Sequence, residues 1–210
     1  MPVVISLLRG VNVGGRHLIK MDALRSLYAS LKLEDVRTHL QSGNVIFRTK
    51  EKDLSKLAGK IQAAIERTYG FRPEIMLRTP ADFRQAIAAT PFPASRNLHP
   101  SKIIVTFLAA EPAAEARAAL KALKPHPEEV HLKGRELYIY FPDGMGQSRL
   151  WSAAEKMLKT PGTARNWNSV TKMLAIAEEM ESEPINARGE AGKRSRSLKR
   201  SEGLSLRKTQ

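Results

Sequence analysis

Between Val3 and Arg78 the sequence switches repeatedly between two hydrophobic periods, and the order of the switches limits the folds open to it. Val3 to Leu8 is a nearly unbroken apolar run, as in a buried strand. Met21, Leu24, Leu27, Tyr28 and Leu31 recur at helical spacing and predict an amphipathic helix over 21–32. Val36 to Leu40 and Val45 to Thr49 predict two strands joined at the turn signal Ser42-Gly43-Asn44. Leu54, Leu57, Ile61, Ile65 and Tyr69 mark a second helix. Phe71 to Arg78 ends the series as a strand, and Pro73 near its start suits a sheet edge. The order β-α-β-β-α-β is that of a ferredoxin-like unit.

A short helix over 80–89 leads into Pro91, Pro93 and Pro100. The segment 93–102 is therefore expected to link a first unit at 1–92 to a second at 103–183. Ile103 to Leu108 reads as a strand and Glu111 to Leu123 as an Ala-rich helix. Val130 to Lys133 and Glu136 to Phe141 form a hairpin around Gly134-Arg135. Helices follow from about Ser148 to Leu158 and from about Asn168 to Met180. The element order repeats imperfectly, while the residues themselves do not visibly repeat. The expected fold class is α+β: two tandem ferredoxin-like units, the second imperfect, a helical C-terminal end and a disordered basic tail.

The charge supports that last boundary. Of a formal net charge of +14, residues 184–210 carry +6, from eight Lys and Arg against two Glu. That segment has few apolar residues and no apolar period, so it cannot bury enough surface to offset its chain entropy. It serves either as a solubilising tail or as an electrostatic grip on RNA or DNA through Lys193, Arg194, Arg196, Lys199 and Arg200. The chain has no cysteine, which excludes a disulfide framework, a thiolate metal site and a Cys nucleophile. No apolar run is long enough to span a membrane or ordered like a signal peptide, so a cytoplasmic protein is expected.

Topology predicts where a site would form. In a β-α-β-β-α-β unit the exit of the first strand and the turn of the hairpin share one end of the sheet. Arg9 to Gly15 should therefore lie beside Gln41 to Asn44. Glycines at a strand exit, Gly14 and Gly15 among them, let backbone N–H groups approach an anion, and Arg9, Arg16 and Lys20 add positive charge. Asn12, Gln41, Ser42 and Asn44 would supply hydrogen bonds. The same residues are also what two sharp turns require. Gly144-Met145-Gly146-Gln147-Ser148-Arg149 leads into a helix and suits either an anion or an N-cap at Ser148. In Thr163-Ala164-Arg165-Asn166-Trp167-Asn168, Trp167 could stack on a base with Arg165, Asn166 and Asn168 nearby. Alternatively Asn168 caps the last helix and Trp167 packs into the core.

Support for other chemistry is thin. The five histidines show no metal-ligand spacing, so no metal site is expected. The glycine spacing after the first strand is neither that of a dinucleotide fold nor that of a P-loop, and no cofactor is implied. There is no G-x-S-x-G elbow and no obvious carboxylate pair. An enzyme acting on a phosphorylated or nucleotide substrate would have to use Asp22 or Asp143. The aromatic pattern of an RNA-recognition motif is missing; Tyr138 and Tyr140 share one strand face and read as packing residues.

Leu8-Arg9-Gly10-Val11-Asn12-Val13-Gly14-Gly15, Lys20-Met21 with Leu24, and Gln41-Ser42-Gly43-Asn44-Val45 together resemble the signature of the bacterial domain of unknown function 1697. Leu137 to Phe141 with Pro142-Asp143-Gly144, Ser148-Arg149-Leu150 and Thr163 to Lys172 resemble its C-terminal half. The resemblance covers about residues 1–180, with Arg149 where Lys is expected and the basic tail outside the pattern. It implies an α+β fold built of ferredoxin-like units and no established activity. It also raises the weight of Arg9, Asn12, Gly14, Gly15, Gln41, Ser42, Asn44, Arg165, Asn166 and Asn168 as one polar set. The leading expectation is a protein that binds an anionic ligand, nucleotide or nucleic acid, at the first unit's loops. An enzyme, or a structural or partner-binding protein whose motifs are only turns and caps, are the alternatives.

Overall fold

The computed structural model describes residues 1–183 apart from Lys124, and only the backbone of Gln147. Lys193, Arg194, Arg196, Lys199 and Arg200 lie outside the described residues. In chain order the first half holds β1 (Val3–Leu8), α1 (Met21–Ser30), β2 (Glu34–His39), β3 (Asn44–Arg48), α2 (Leu54–Tyr69), β4 (Ile75–Arg78) and α3 (Pro80–Ala88). The second holds β5 (Ile103–Leu108), α4 (Ala114–Ala122), β6 (Glu129–Lys133), β7 (Glu136–Tyr140), α5 (Leu150–Leu158), β8 (Gly162–Asn166) and α6 (Trp167–Ser182). The described residues thus form a mixed α+β fold with two four-stranded antiparallel sheets and six helices. The sheet orders are β2-β3-β1-β4 and β6-β7-β5-β8.

Strand alternation sorts the apolar residues into layers. Val4, Leu8, Val45 and Phe47 join α1 and α2 in one core on the outer face of the first sheet. Val3, Ile5, Leu7 and Ile46 face the other way and join Ile103, Val105, Phe107 and Tyr138 of the second sheet, with α3 and α6, in a shared central core. Leu137 and Ile139 pack outward on α4 and α5. Both faces of β1 are therefore covered, which explains its unbroken apolar run. Tyr138 packs in the central core, where its hydroxyl donates to Ala86 O at 2.7 Å.

Two arginines tie the end of α6 to the first sheet. Arg48 of β3 donates to Met180 O and Glu183 O. Arg37 of β2 pairs with Glu179 and Glu183. The start of α3 is fixed locally: Thr79 Oγ1 accepts from Asp82 N at 3.1 Å while the Asp82 carboxylate accepts from Thr79 N at 2.7 Å. This reciprocal cap satisfies two otherwise orphaned donors. Thr79→Ala is expected to lower stability by about 1 kcal/mol, read from urea unfolding.

The structure corrects several expectations. Gly162–Asn166 is a strand, not a loop, and it completes the second sheet by pairing antiparallel with β5. It lacks large apolar residues because it lies close against its neighbour: a Cβ at Gly162 would fall 2.8 Å from Leu108 Cδ2 and Thr106 Cγ2. The last helix consequently starts at Trp167, and its N-cap is Asn166, whose oxygen accepts from Asn168 N, rather than Asn168. β2 begins at Glu34, two residues early, with a bulge between Glu34 and Arg37. β4 begins only at Ile75, after the proline. Ser148 does not occupy the N-cap of α5, which is Arg149, although Ser148 Oγ accepts from Leu150 N.

Strand register also uncovers a residue-level repeat. Val3 to Leu8 and Ile103 to Leu108 are matching strands one hundred residues apart. Ile5 faces Arg78 where Val105 faces Arg165, and Leu7 faces Asn44 where Phe107 faces Glu136.

Candidate functional site

At the exit of β1 the chain forms a loop closed on itself. Asn12 Oδ1 accepts from Ile19 N, its Nδ2 donates to Ile19 O, and its backbone N–H donates to His17 O. Val13 and Arg16 form an isolated bridge around Gly14 and Gly15, both at positive φ with open space where a side chain would be. The second loop joins here: Asn12 Nδ2 also donates to Gln41 O at 2.6 Å, and Leu8 N donates to Gly43 O at 3.0 Å. Arg9 to Gly15 and Gln41 to Asn44 therefore lie side by side, as the strand order requires.

Arg165 of β8 enters beneath both loops and is only 8% exposed. Its five N–H donors are all engaged. Nε donates to Asn44 Oδ1, Nη1 to Thr163 Oγ1 and Ala164 O, and Nη2 to Leu8 O and Ser42 O. Every acceptor is neutral, and no carboxylate among the described residues forms an ion pair with it. Burial pushes the guanidinium down to about 10, so it is still a cation at neutral pH.

Arg78 occupies the matching position in the other half and reaches the matching acceptor, donating to Leu108 O at 2.6 Å. Its Nε lies 3.5 Å from Glu136, the counterpart of Asn44. Each half thus sends an arginine to the last carbonyl of the other half's first strand. One arginine faces a carboxylate and the other an amide. Burial holds the Glu136 carboxyl above its usual range, against the pull of Arg78 and Arg135.

The family model described as a protein of unknown function, DUF1697, matches residues 1–138. The chain belongs to that family. The matched residues of this DUF1697 protein include both loops and Asn44, while Arg165 lies beyond them. The conserved bacterial protein SP0830 from Streptococcus pneumoniae has a similar solved structure, with a TM-score of 0.64 and 23% identity over 84% of this chain and 98% of that one. This likeness concerns the fold. A second structure, TA0507, which is named as a chlorite dismutase, covers 84% of this chain and 99% of its own at 12% identity, with a TM-score of only 0.24. No curated protein matches the DUF1697 chain.

The rest of the expected polar set divides. Asn44 is buried, and its amide donates to His39 O and Ser42 Oγ while its oxygen serves Arg165. Gln41, Arg16 and Lys20 are exposed, and neither Arg16 nor Lys20 forms an ion pair among the described residues. Arg9 pairs with Glu155 of α5. Asn166 and Asn168 do not join the loops: Asn166 donates to Ser101 O and caps α6, and Asn168 is exposed beside it. Trp167 packs against the central core. Of the two acids considered for catalysis, Asp22 pairs with Arg25 on α1 and Asp143 sits in an exposed turn. Burial, then the charge of Lys172, holds His39 below its usual value. Glu155 carried no sequence signal, because it approaches Arg9 from a helix of the other half. No helix among the described residues is long and apolar enough to cross a membrane.

Proposed function

We propose that this DUF1697 protein binds a phosphate-bearing ligand, a nucleotide or nucleic acid, on the Arg9–Gly15 and Gln41–Asn44 loops. The observation that carries this reading is the unneutralised charge of Arg165 directly beneath them. A buried cation bonded only to neutral dipoles keeps a positive potential at the surface above it. The matched position in the other half is the internal contrast, since there Glu136 faces the arginine. Arg16 and Lys20 add charge at the rim, and Gly14 and Gly15 leave backbone N–H groups accessible. Asn12, Asn44 and Arg165 hold the two loops in place, while Gln41 and Ser42 sit beside the ligand. Arg9 exchanges Glu155 for the ligand. Lys193, Arg194, Arg196, Lys199 and Arg200 would add phosphate contacts when the ligand is a nucleic acid. The two sheet orders support reading 1–92 and 103–183 as ferredoxin-like units joined by 93–102.

The test is binding of ATP and of a labelled oligo(dT) to the full chain at low salt. Arg16→Ala with Lys20→Ala is expected to weaken binding at least about tenfold through lost phosphate contacts. Asn44→Asp, which places a carboxylate against Arg165, is expected to do the same. Wild-type protein that binds neither probe, or folded variants that bind like wild type, would overturn the reading.

A further inference from the structure

A second recess lies at the opposite end of the first sheet, where α1 ends, β2 begins and β3 leaves for α2. Its volume is about 530 Å³, within the range of small-molecule sites. Its floor is apolar: Leu33 is 5% exposed and Leu57 3%, and half-buried Leu31 closes one side. Its rim is basic. Lys60 and Arg67 project from one face of α2, with Ala63 between them on the same face. Lys32 and Lys50 come from the loops opposite. Two carboxylates also line it, and one is already neutralised: Glu51 accepts from Lys60 at 3.0 Å and lies 3.9 Å from Lys56. That leaves Lys32, Lys50 and Arg67, none ion-paired among the described residues, against Glu34 alone.

We infer that this recess is a binding site for a small anionic molecule with an apolar body, such as an aromatic sulfonate or a medium-chain carboxylate. The apolar part would lie over Leu33 and Leu57, and the anionic group would meet Lys50 and Arg67. Charge complementarity selects this occupant. A neutral apolar molecule would leave the cations unused, and a fully polar anion would leave the half-buried Leu31 and Ala63 in contact with water. The inference is independent of the loop site, which lies at the other end of the sheet.

The probe is 8-anilinonaphthalene-1-sulfonate with the full chain, its fluorescence titrated and then displaced by decanoate. Saturable binding at one site per chain is expected, with decanoate displacing it and decanol at least about tenfold less effective. Ala63→Trp fills the recess from the solvent side and should abolish binding. Lys50→Glu with Arg67→Glu, both exposed positions, should weaken it at least about tenfold while the circular dichroism melt stays unchanged. Arg16→Ala with Lys20→Ala, at the loop site, should leave it intact. Equal displacement by decanol, or wild-type binding in the folded Lys50→Glu/Arg67→Glu variant, would overturn the inference.

Discussion

Arg165→Leu is expected to lower the unfolding free energy by about 4 kcal/mol, read as a fall in the urea midpoint with an unchanged slope. The substitution keeps much of the side-chain volume and removes five donors. Asn44 Oδ1 then stays buried without a donor, and Leu8 O keeps only the long contact from Thr163 Oγ1 at 3.5 Å, at roughly 1–3 kcal/mol for each buried group left short of a partner. Removing a buried charge recovers part of that loss, so the net effect is smaller than the sum. Arg165→Lys should recover little, because a single ammonium cannot reproduce a planar fork aimed at both halves. Arg165→Leu unfolding at the wild-type midpoint would mean that the five hydrogen bonds contribute no net stability.

Gly43→Ala is the second large effect, at about 3 kcal/mol by the same measurement, from two causes that add. The residue sits at φ +68, where a side chain costs roughly 1–2 kcal/mol. The new methyl would also lie 2.8 Å from Leu8 Cβ and 3.4 Å from Val11 Cβ, in a buried turn whose carbonyl accepts from Leu8 N. Overpacking of this kind adds roughly 1–3 kcal/mol. Gly14→Ala is the control. It shares the positive φ but opens onto solvent, so only the conformational cost of about 1 kcal/mol remains. If the two alanines destabilise equally, the packing of the hairpin turn on β1 contributes nothing.

What could be read from the sequence follows from how each residue makes its contacts. β1, α1, β3 and α2 are legible because their apolar residues report burial directly, whereas β2, with Val36 as its one apolar residue and none buried, is legible only roughly; the placement of the Arg9 loop beside Gln41 follows from strand order alone. β8 was not legible. Gly-Thr-Ala-Arg-Asn has no apolar period, and it becomes a strand through the closeness of Gly162 to β5, a tertiary fact. The role of Arg165 was half legible. The polar set places it with the first-half loops, and it is near them. Its burial and full set of neutral partners place it under the loops rather than at their surface. Asn166 and Asn168 are close to it in sequence, yet Asn166 faces the opposite side of β8 and Asn168 lies in the first turn of α6, and their bonds go to the second half. The repeat stayed hidden because Ser6 against Thr106 and Leu7 against Phe107 preserve character and register, not identity.

The crossed arginines set a rule for how such a chain can change over time. Each half carries the group that completes the other's first strand, so neither can be exchanged for an unrelated copy without stranding a carbonyl in its partner. Freedom lies instead at the single position facing each arginine, where exchanging an amide for an acid retunes the charge of one end of the molecule and leaves the joint between the halves in place.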